Sequence, residues 1–158
     1  IFLDISRFNL HDSIRKTAGA LEGVAAKKDI HFDLELSDTE PLWVSGDKDK
    51  IQQVLHNLMD NAVKFSHEGS SILISTREKG NRVFVSVKDS GIGIPKDDLG
   101  KIFERFYKTD LSRGKDKLGT GLGLSICKEI ITAHKQNLDV VSTEGVGSEF
   151  VFTLTKET

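Results

Sequence analysis

Half of the chain's 14 glycines lie within residues 90–123, together with one of its two prolines and many charged residues. Because glycine and proline are poor interior residues for helices and strands, this stretch cannot be mostly regular structure. The hydrophobic core therefore has to be built from the residues on either side of it. Both flanking parts carry the periodic apolar patterns that such a core needs.

Three segments repeat apolar residues at helical spacing. The strongest pattern follows Asp47, where one continuous stripe is formed by Ile51, Val54, Leu55, Leu58, Met59, Ala62 and Phe65. Asn9 is placed to cap a second amphipathic helix, which is expected to end near Lys28. The third helix begins around Leu124, and residues 96–103 are compatible with a further short one.

Alternating apolar and polar residues predict strands in the remaining segments. These strands are expected at residues 30–36, 42–44, 72–74, 83–87, 138–141 and 150–154. The two runs that flank Gly80-Asn81 predict an antiparallel hairpin. Helices mixed with hairpin-linked strands favour an α+β sandwich with a mostly antiparallel sheet over a doubly wound sheet.

Composition narrows the class of protein. A length of 158 residues with 37% hydrophobic residues fits one domain spanning residues 1–158. The formal charge of -2 gives no reason to expect nucleic acid or direct membrane contact. A single cysteine, Cys127, excludes an internal disulfide and fits a reducing compartment. Because the sequence begins with Ile1 rather than Met, we expect it to be a segment of a longer protein.

One face of the strongest helix carries polar residues that suit a phosphate and its metal. At about 100° per residue, Asn57, Asn61 and Lys64 lie on the same side, away from the apolar stripe. An amide oxygen can join the oxygen shell of Mg²⁺, and an ammonium group can neutralise phosphate charge. A solvated helix face is the alternative interpretation of the same pattern.

A second polar element, Asp89-Ser90-Gly91-Ile92-Gly93-Ile94-Pro95, comes directly after a predicted strand. Its glycines allow a sharp turn and a close approach to a flat ligand. A carboxylate at the end of the strand can accept a hydrogen bond from an exocyclic amine, such as that of adenine. The alternative is an ordinary Gly-Pro turn with a solvated aspartate.

A third element, residues 119–124 with the sequence Gly-Thr-Gly-Leu-Gly-Leu, runs into the last predicted helix. Glycines before a helix expose backbone N–H groups at the positive end of the helix dipole, which is a ready anion site. The spacing fits neither a Walker loop nor a dinucleotide fingerprint, and a flexible hinge is the alternative. Residues 101–117 carry six basic and three acidic side chains, which fits either a solvated face or a lid over a polyphosphate.

These elements, in this order, resemble the ATP-binding catalytic domain of bacterial sensor histidine kinases, within the GHKL-type ATPase superfamily. The family's N, G1, F and G2 boxes and its final glycine box correspond to residues 57–66, 89–95, 102–108, 119–124 and 145–150. The resemblance covers nearly the whole chain. It implies a two-layer α/β sandwich, in which a mixed sheet packs against three helices, with a flexible ATP lid at about residues 107–120.

The resemblance also implies ATP and Mg²⁺ as cofactors and a role for each matching residue. Asn61 is expected to coordinate Mg²⁺, and the catalytic side chains Asn57, Lys64 and Lys108 to contact the phosphates. Asp89 is expected to accept a hydrogen bond from the adenine amine, with Phe65 lining the base pocket and Ser148 acting through water. The other expected nucleotide-binding residues are Gly91, Gly93, Ile94, Gly119, Thr120, Gly121, Leu122, Gly123 and Leu124.

The phosphate-accepting histidine of the family has no counterpart here, because His11-Asp12-Ser13-Ile14 lacks the glutamate and the Thr-Pro pair that accompany it. The resemblance thus implies the phosphoryl-donor half of a two-component sensor kinase, monomeric as an isolated fragment. Its implied partners are the helical dimerisation and phosphoacceptor hairpin of the parent kinase and a response-regulator receiver domain. The implied location is cytoplasmic, within a membrane-anchored parent.

Two other functions stay open from the sequence. A water-activating ATPase of the gyrase, mismatch-repair or chaperone type carries a glutamate four residues before the metal asparagine. This chain has Asn57 there, and an amide cannot take a proton from water. The other alternative is a nucleotide-sensing module that transfers nothing, against which the intact set Asn57, Asn61 and Lys64 argues.

Overall fold

A computed structural model of the chain describes residues 1–107 and 123–158. The helices are α1 (Leu10–Ala26), α2 (Lys48–Phe65) and α3 (Gly123–Ala133), with a 3₁₀ helix at Lys96–Asp98. The strands are β1 (Ser6–Asn9), β2 (His31–Glu35), β3 (Trp43–Gly46), β4 (Ser71–Lys79), β5 (Arg82–Asp89), β6 (Leu138–Thr143) and β7 (Gly147–Lys156). The predicted lid lies outside the described residues, except for Tyr107.

The seven strands form one sheet in the order β1-β3-β7-β5-β4-β2, and β6 also pairs with β7. β2 and β4 are parallel, whereas the other described pairs are antiparallel. The hairpin predicted at Gly80-Asn81 joins β4 to β5, with Lys79 opposite Arg82 and Gly80 at a φ of 61°. The sheet is therefore mixed and mostly antiparallel, as expected.

The helices cover one face of this sheet, and the core lies between the two layers. Alternate residues of the central strands, including Ile72, Ile74, Val83 and Val85, are fully buried. The apolar stripe of α2 packs against them, because its residues from Ile51 to Val63 are buried at every core-facing position. This arrangement confirms the predicted α+β sandwich of three helices on a mostly antiparallel sheet.

The first two helices begin where the sequence placed them, because each has a side-chain cap. The Asn9 side chain accepts a hydrogen bond from the His11 backbone N–H, and Asp47 accepts one from the Lys50 N–H at 3.1 Å. Asn9 Oδ1 also accepts from the Leu42 N–H at 3.0 Å, which ties α1 to the segment before β3. α1 ends at Ala26, two residues before the expected end.

Two elements differ from expectation. β1 was not predicted, since its four residues include one buried apolar side chain, Phe8, and the strand depends on pairing with β3. The short helix expected at residues 96–103 is a 3₁₀ helix followed by turns, with hydrogen bonds of i→i+3 spacing such as Lys101 N–H to Asp98 O. Short length and Gly100, which costs about 1 kcal/mol relative to alanine in a helix interior, both disfavour an α-helix here.

Candidate functional site

Asp89 is the last residue of β5, and the residue is 9% exposed. Its Oδ1 accepts hydrogen bonds from the Gly91 N–H at 2.9 Å and the Ser148 N–H at 3.3 Å. Burial raises the pKa of this carboxyl, against the effect of those two donors. None of the described residues donates a hydrogen bond to Oδ2. The carboxylate is therefore held by one oxygen, and the other is available to a donor on a ligand.

The loop that follows Asp89 is clamped between α2 and the β6–β7 turn. The Ile92 N–H donates to Phe65 O at 3.1 Å, and the Gly145 N–H donates to Ile92 O at 2.7 Å. A Cβ on Gly91 would collide with the Phe65 carbonyl. A Cβ on Gly93, whose φ is +69°, would collide with the Thr143 carbonyl. The two glycines are thus required by contacts within the protein, a reason that the sequence did not reveal.

Ser142 is a residue of this region that sequence reasoning missed. Its Oγ accepts a hydrogen bond from the Ile94 N–H at 2.8 Å and lies 3.0 Å from Gly147 O and 2.7 Å from Ser148 Oγ. A carbonyl can only accept, so the Ser142 hydroxyl proton goes to Gly147 O and the Ser148 hydroxyl donates to Ser142. Ser148 therefore presents acceptor lone pairs on its remaining side. No sequence motif marked Ser142.

The polar face of α2 lies beside this loop. Asn57 and Asn61 are half-buried, and Lys64 lies 3.3 Å from Asp60 in an i,i+4 ion pair. Asn57 Nδ2 lies 3.5 Å from Gly123 O, which links the middle of α2 to the start of α3. Phe65, at the end of the helix, is half-buried, and its carbonyl contacts the loop. Of the sequence-predicted residues of α2, Asn57 thus lies beside the start of α3 and Phe65 beside residues 91–94.

The third predicted element is described in part. Gly123 is exposed at the first position of α3, and Leu124 is half-buried against the core. Ile94 likewise packs against the core through its half-buried side chain. The predicted site residues Lys108, Gly119, Thr120, Gly121 and Leu122 lie outside the described residues.

Aromatic residues of the segment before the undescribed stretch pack beside α3. Phe103 makes an edge-to-face contact with Phe150, with ring centroids 6.3 Å apart, and the Lys128 ammonium lies 5.2 Å from the Phe103 ring centre. Arg105 forms an ion pair with Glu129 of α3 at 3.0 Å. Phe106, in contrast, is 69% exposed. This segment thus contacts both α3 and β7.

Two histidines and the single cysteine differ widely in their surroundings. His11 is fully buried, with Nδ1 3.0 Å from Glu40 Oε2 and Nε2 2.8 Å from Thr76 Oγ1. His56 is exposed on α2. Cys127 is fully buried, and burial raises the pKa of its thiol to about 12, so it behaves as a small hydrophobic residue.

The donor set of this face fits a magnesium nucleotide. Asn57 and Asn61 offer amide oxygens at the surface of α2, and magnesium in proteins usually keeps several waters and takes phosphate oxygens besides one or two protein ligands. The described residues contain no group of three His, Cys, Asp or Glu side chains suited to a metal. Two amide oxygens on one helix face are thus compatible with a metal that also binds phosphate oxygens.

The chain matches one protein family over most of its length. The profile described as "Histidine kinase-, DNA gyrase B-, and HSP90-like ATPase" matches residues 46–158. Sensor histidine kinase WalK of Bacillus subtilis is 45% identical over 127 residues, which are 79% of this chain and 21% of that protein. The chain thus spans about a fifth of the length of this curated relative.

Solved structures are similar along nearly the whole chain. The catalytic domain of histidine kinase ThkA has a TM-score of 0.84 and 36% identity, over 97% of this chain and 96% of that one. ThkA is also solved in complex with the response regulator protein TrrA. Full-length ShkA, solved in complex with AMPPNP, has a TM-score of 0.86 and 29% identity, over 100% of this chain and 33% of that one.

Proposed function

The chain belongs to the histidine kinase-, DNA gyrase B- and HSP90-like ATPase family, as a catalytic domain of the histidine kinase type, and we propose that it is the phosphoryl-donor domain of a two-component sensor kinase. In this proposal it binds ATP with Mg²⁺ and donates the γ-phosphoryl group to a histidine on the helical dimerisation hairpin of the parent kinase. A response-regulator aspartate then receives the group. The domain works on the cytoplasmic side of a membrane-anchored parent.

The observation that carries the nucleotide part of the proposal is the arrangement of Asp89. Its Oδ1 is occupied by the Gly91 and Ser148 amides, and the described residues leave Oδ2 without a donor. An adenine amine supplies that donor, and a hydrogen bond to a buried carboxylate is stronger than one to a neutral acceptor. Ser148, with its lone pairs directed away from Ser142, accepts from a water that bridges to the base.

The phosphate side is assigned to the polar face of α2 and to the residues before α3. Asn61 holds Mg²⁺, which supplies neutralisation of the phosphate charge when it is bound. Asn57 and Lys64 contact the phosphates, and backbone N–H groups of residues 121–123 bind a phosphate at the N-terminus of α3. Lys108, the last residue of the F-box segment 102–108, also contacts the phosphates in this proposal.

The chemistry consists mainly of positioning and charge neutralisation, because phosphoryl transfer passes through a loose transition state. A ring nitrogen of the partner's histidine forms a bond to the γ-phosphorus while the bond to the bridging oxygen breaks. ADP leaves with that electron pair, and the imidazole proton passes to a base on the partner. ThkA, a relative solved with a response regulator, supports the same class of acceptor downstream.

An intrinsic water-activating ATPase is disfavoured by Asn57. The Asn57 amide donates toward Gly123 O and has no basic group that could remove a proton from water. The described part of the chain places the carboxylate of Asp60 against Lys64, where it is held in an ion pair. We therefore expect slow ATP hydrolysis by the isolated chain compared with transfer to a cognate hairpin.

Calorimetric titration with a non-hydrolysable ATP analogue tests the nucleotide part. The chain is titrated with and without Mg²⁺, and Asp89→Asn is titrated in parallel. Saturable binding near one-to-one that depends on Asp89 supports the proposal, whereas no binding by the unsubstituted chain contradicts it.

Transfer is tested separately, with radiolabelled ATP and the dimerisation hairpin of a sensor kinase added as a separate protein. The proposal expects an acid-labile, base-stable phosphohistidine on the hairpin. Tight nucleotide binding with no label on any cognate hairpin would favour a nucleotide-sensing module. Rapid release of inorganic phosphate without the hairpin would favour a water-activating ATPase.

A further inference from the structure

The C-terminal end of α2 has no glycine cap. The helix ends at Phe65, and Ser66 turns directly into extended backbone with φ -84° and ψ 152°. The carbonyls of the last helical turn have no further N–H groups of the helix to accept from, so they need partners from elsewhere. This turn is also the one that carries Lys64 and Phe65, two residues assigned to the nucleotide.

Every one of the last four carbonyls of α2 has a partner in the structure. The Ser66 hydroxyl donates to Ala62 O at 2.6 Å, the Lys28 ammonium donates to Val63 O at 2.8 Å and to Lys64 O at 3.2 Å, and the Ile92 N–H donates to Phe65 O at 3.1 Å. Two of the four are thus held by one distant side chain. A cation at this position also interacts favourably with the negative end of the helix dipole.

Lys28 is itself anchored by its backbone in the connection between α1 and β2. Its N–H donates to Ala25 O at 3.0 Å, and its carbonyl accepts from the Gly69 N–H at 3.0 Å. The next residue, Asp29, has a φ of 54°, which completes the turn that ends α1. The ammonium therefore extends from a fixed backbone position to the last turn of α2.

We propose that Lys28 is a positioning residue of the nucleotide site, acting through the last turn of α2. The same turn holds the 91–94 loop through the hydrogen bond from Ile92 N–H to Phe65 O, and that loop comes two residues after Asp89. A shift of the turn changes the position of Lys64 and Phe65 relative to Asp89, and so the fit to a nucleotide that contacts all three. This inference rests on the proposed function, since it assumes that the site binds a nucleotide.

The test compares Lys28→Met, which keeps the aliphatic stem but removes the charge and donors, with Lys28→Arg, which keeps both. Lys27→Met is the matched control, because Lys27 is the adjacent lysine and is exposed. Each is titrated with a non-hydrolysable ATP analogue and Mg²⁺, at a temperature where circular dichroism shows that the protein is folded. The result expected for Lys28→Met is a dissociation constant raised at least about threefold. Lys28→Arg and Lys27→Met are expected to stay within about twofold of the unsubstituted chain.

The outcomes separate this inference from the proposed function. If folded Lys28→Met binds the analogue with unchanged affinity, the inference is overturned. A lower melting temperature of that variant would then show that Lys28 contributes to stability only. If the unsubstituted chain does not bind the analogue, the proposed function fails and this inference fails with it. Should Lys28→Met not fold, Lys28→Gln takes its place in the same titration, with the same weaker binding expected and unchanged binding overturning the inference.

Discussion

Asp89 and Ser148 lie opposite each other on β5 and β7, and the Ser148 N–H donates a hydrogen bond to Asp89 Oδ1 at 3.3 Å. The pairing joins two residues that are 59 positions apart in the sequence. It holds one carboxylate oxygen by backbone N–H groups, and the described residues give the other oxygen no donor. The position of β7 in the sheet, between β3 and β5, is what makes this contact possible.

Replacing Asp89 by asparagine is expected to weaken binding of an ATP analogue about tenfold or more without loss of stability. The amide keeps an oxygen for the Gly91 and Ser148 N–H groups but presents an NH₂ group to the adenine amine. Calorimetry gives the affinity and thermal melting the stability. Asp97→Asn, an exposed aspartate in the 3₁₀ helix, is the control and should bind normally. Equal affinities for the two variants would show that Asp89 does not contact the adenine base.

Gly93→Ala is expected to destabilise the fold, whereas Gly100→Ala is not. The new Cβ at Gly93 meets the Thr143 carbonyl at a φ of +69°, but a Cβ at Gly100 has nothing within 4 Å. The strained backbone alone costs about 1–3 kcal/mol, and the collision adds to it. Chemical denaturation of both variants measures the difference. An unchanged free energy of unfolding for Gly93→Ala would mean that the loop is not clamped by the β6–β7 turn.

Ser142→Ala is expected to lower the free energy of unfolding by about 1–2 kcal/mol and to weaken nucleotide binding. The substitution removes the acceptor of the Ile94 N–H and the partner of the Ser148 hydroxyl, both beside Asp89. Denaturant unfolding and calorimetry check the two effects. Ser71→Ala, at the exposed start of β4, serves as the control and should change neither quantity. Normal nucleotide binding by Ser142→Ala would show that Ser142 does not contribute to the nucleotide site.

The free energy of unfolding is expected to decline as the pH falls from about 5 to about 2. The Lys156 ammonium, 2.7 Å from Glu78, and hydrogen bonds from Thr39 and Ser37 lower the pKa of Glu78 to about 2. Hydrogen bonds from the Arg15 and His11 side chains likewise lower the pKa of Glu40 to about 2. Unfolded glutamates have an ordinary pKa near 4.5, so on acidification the unfolded chain takes up protons first.

Denaturant titrations at several pH values measure this decline. Glu78→Gln is expected to have a shallower decline than the unsubstituted chain, because the substitution removes a carboxylate whose pKa is lowered in the folded state. Glu22→Gln, on the exposed face of α1, should keep the full decline. Stability that is constant between pH 5 and pH 2 would show that these ion pairs contribute nothing.

Local patterns were enough to predict most of the elements. The apolar stripe from Ile51 to Phe65 identified α2, Asn9 marked the start of α1, and Gly80-Asn81 marked the β4–β5 hairpin. Each of these signals acts over a few residues: side-chain periodicity, a capping side chain and a turn that tolerates positive φ. The order of the motifs then indicated the family, which the comparisons confirmed.

Such local patterns could not predict contacts between segments that are distant in the sequence. β1 exists because Ser6–Asn9 pairs with β3, and nothing in those four residues required a strand. Ser142 was not predicted, since its importance depends on β6 lying beside β7. The glycines at positions 91 and 93 were expected to make room for a ligand, and the structure shows the carbonyls of Phe65 and Thr143 in the space that a Cβ would take.

The helices, the hairpin and the family could be predicted from the sequence alone, as could the residue types expected to face a nucleotide, because periodicity, capping and motif spacing are encoded over short stretches. The tertiary structure decided which oxygen of Asp89 stays available, which hydroxyl donates between Ser142 and Ser148, and which side chain holds the end of α2. Those outcomes depend on hydrogen-bond partners, and buried donors and acceptors find partners only once distant segments are packed together.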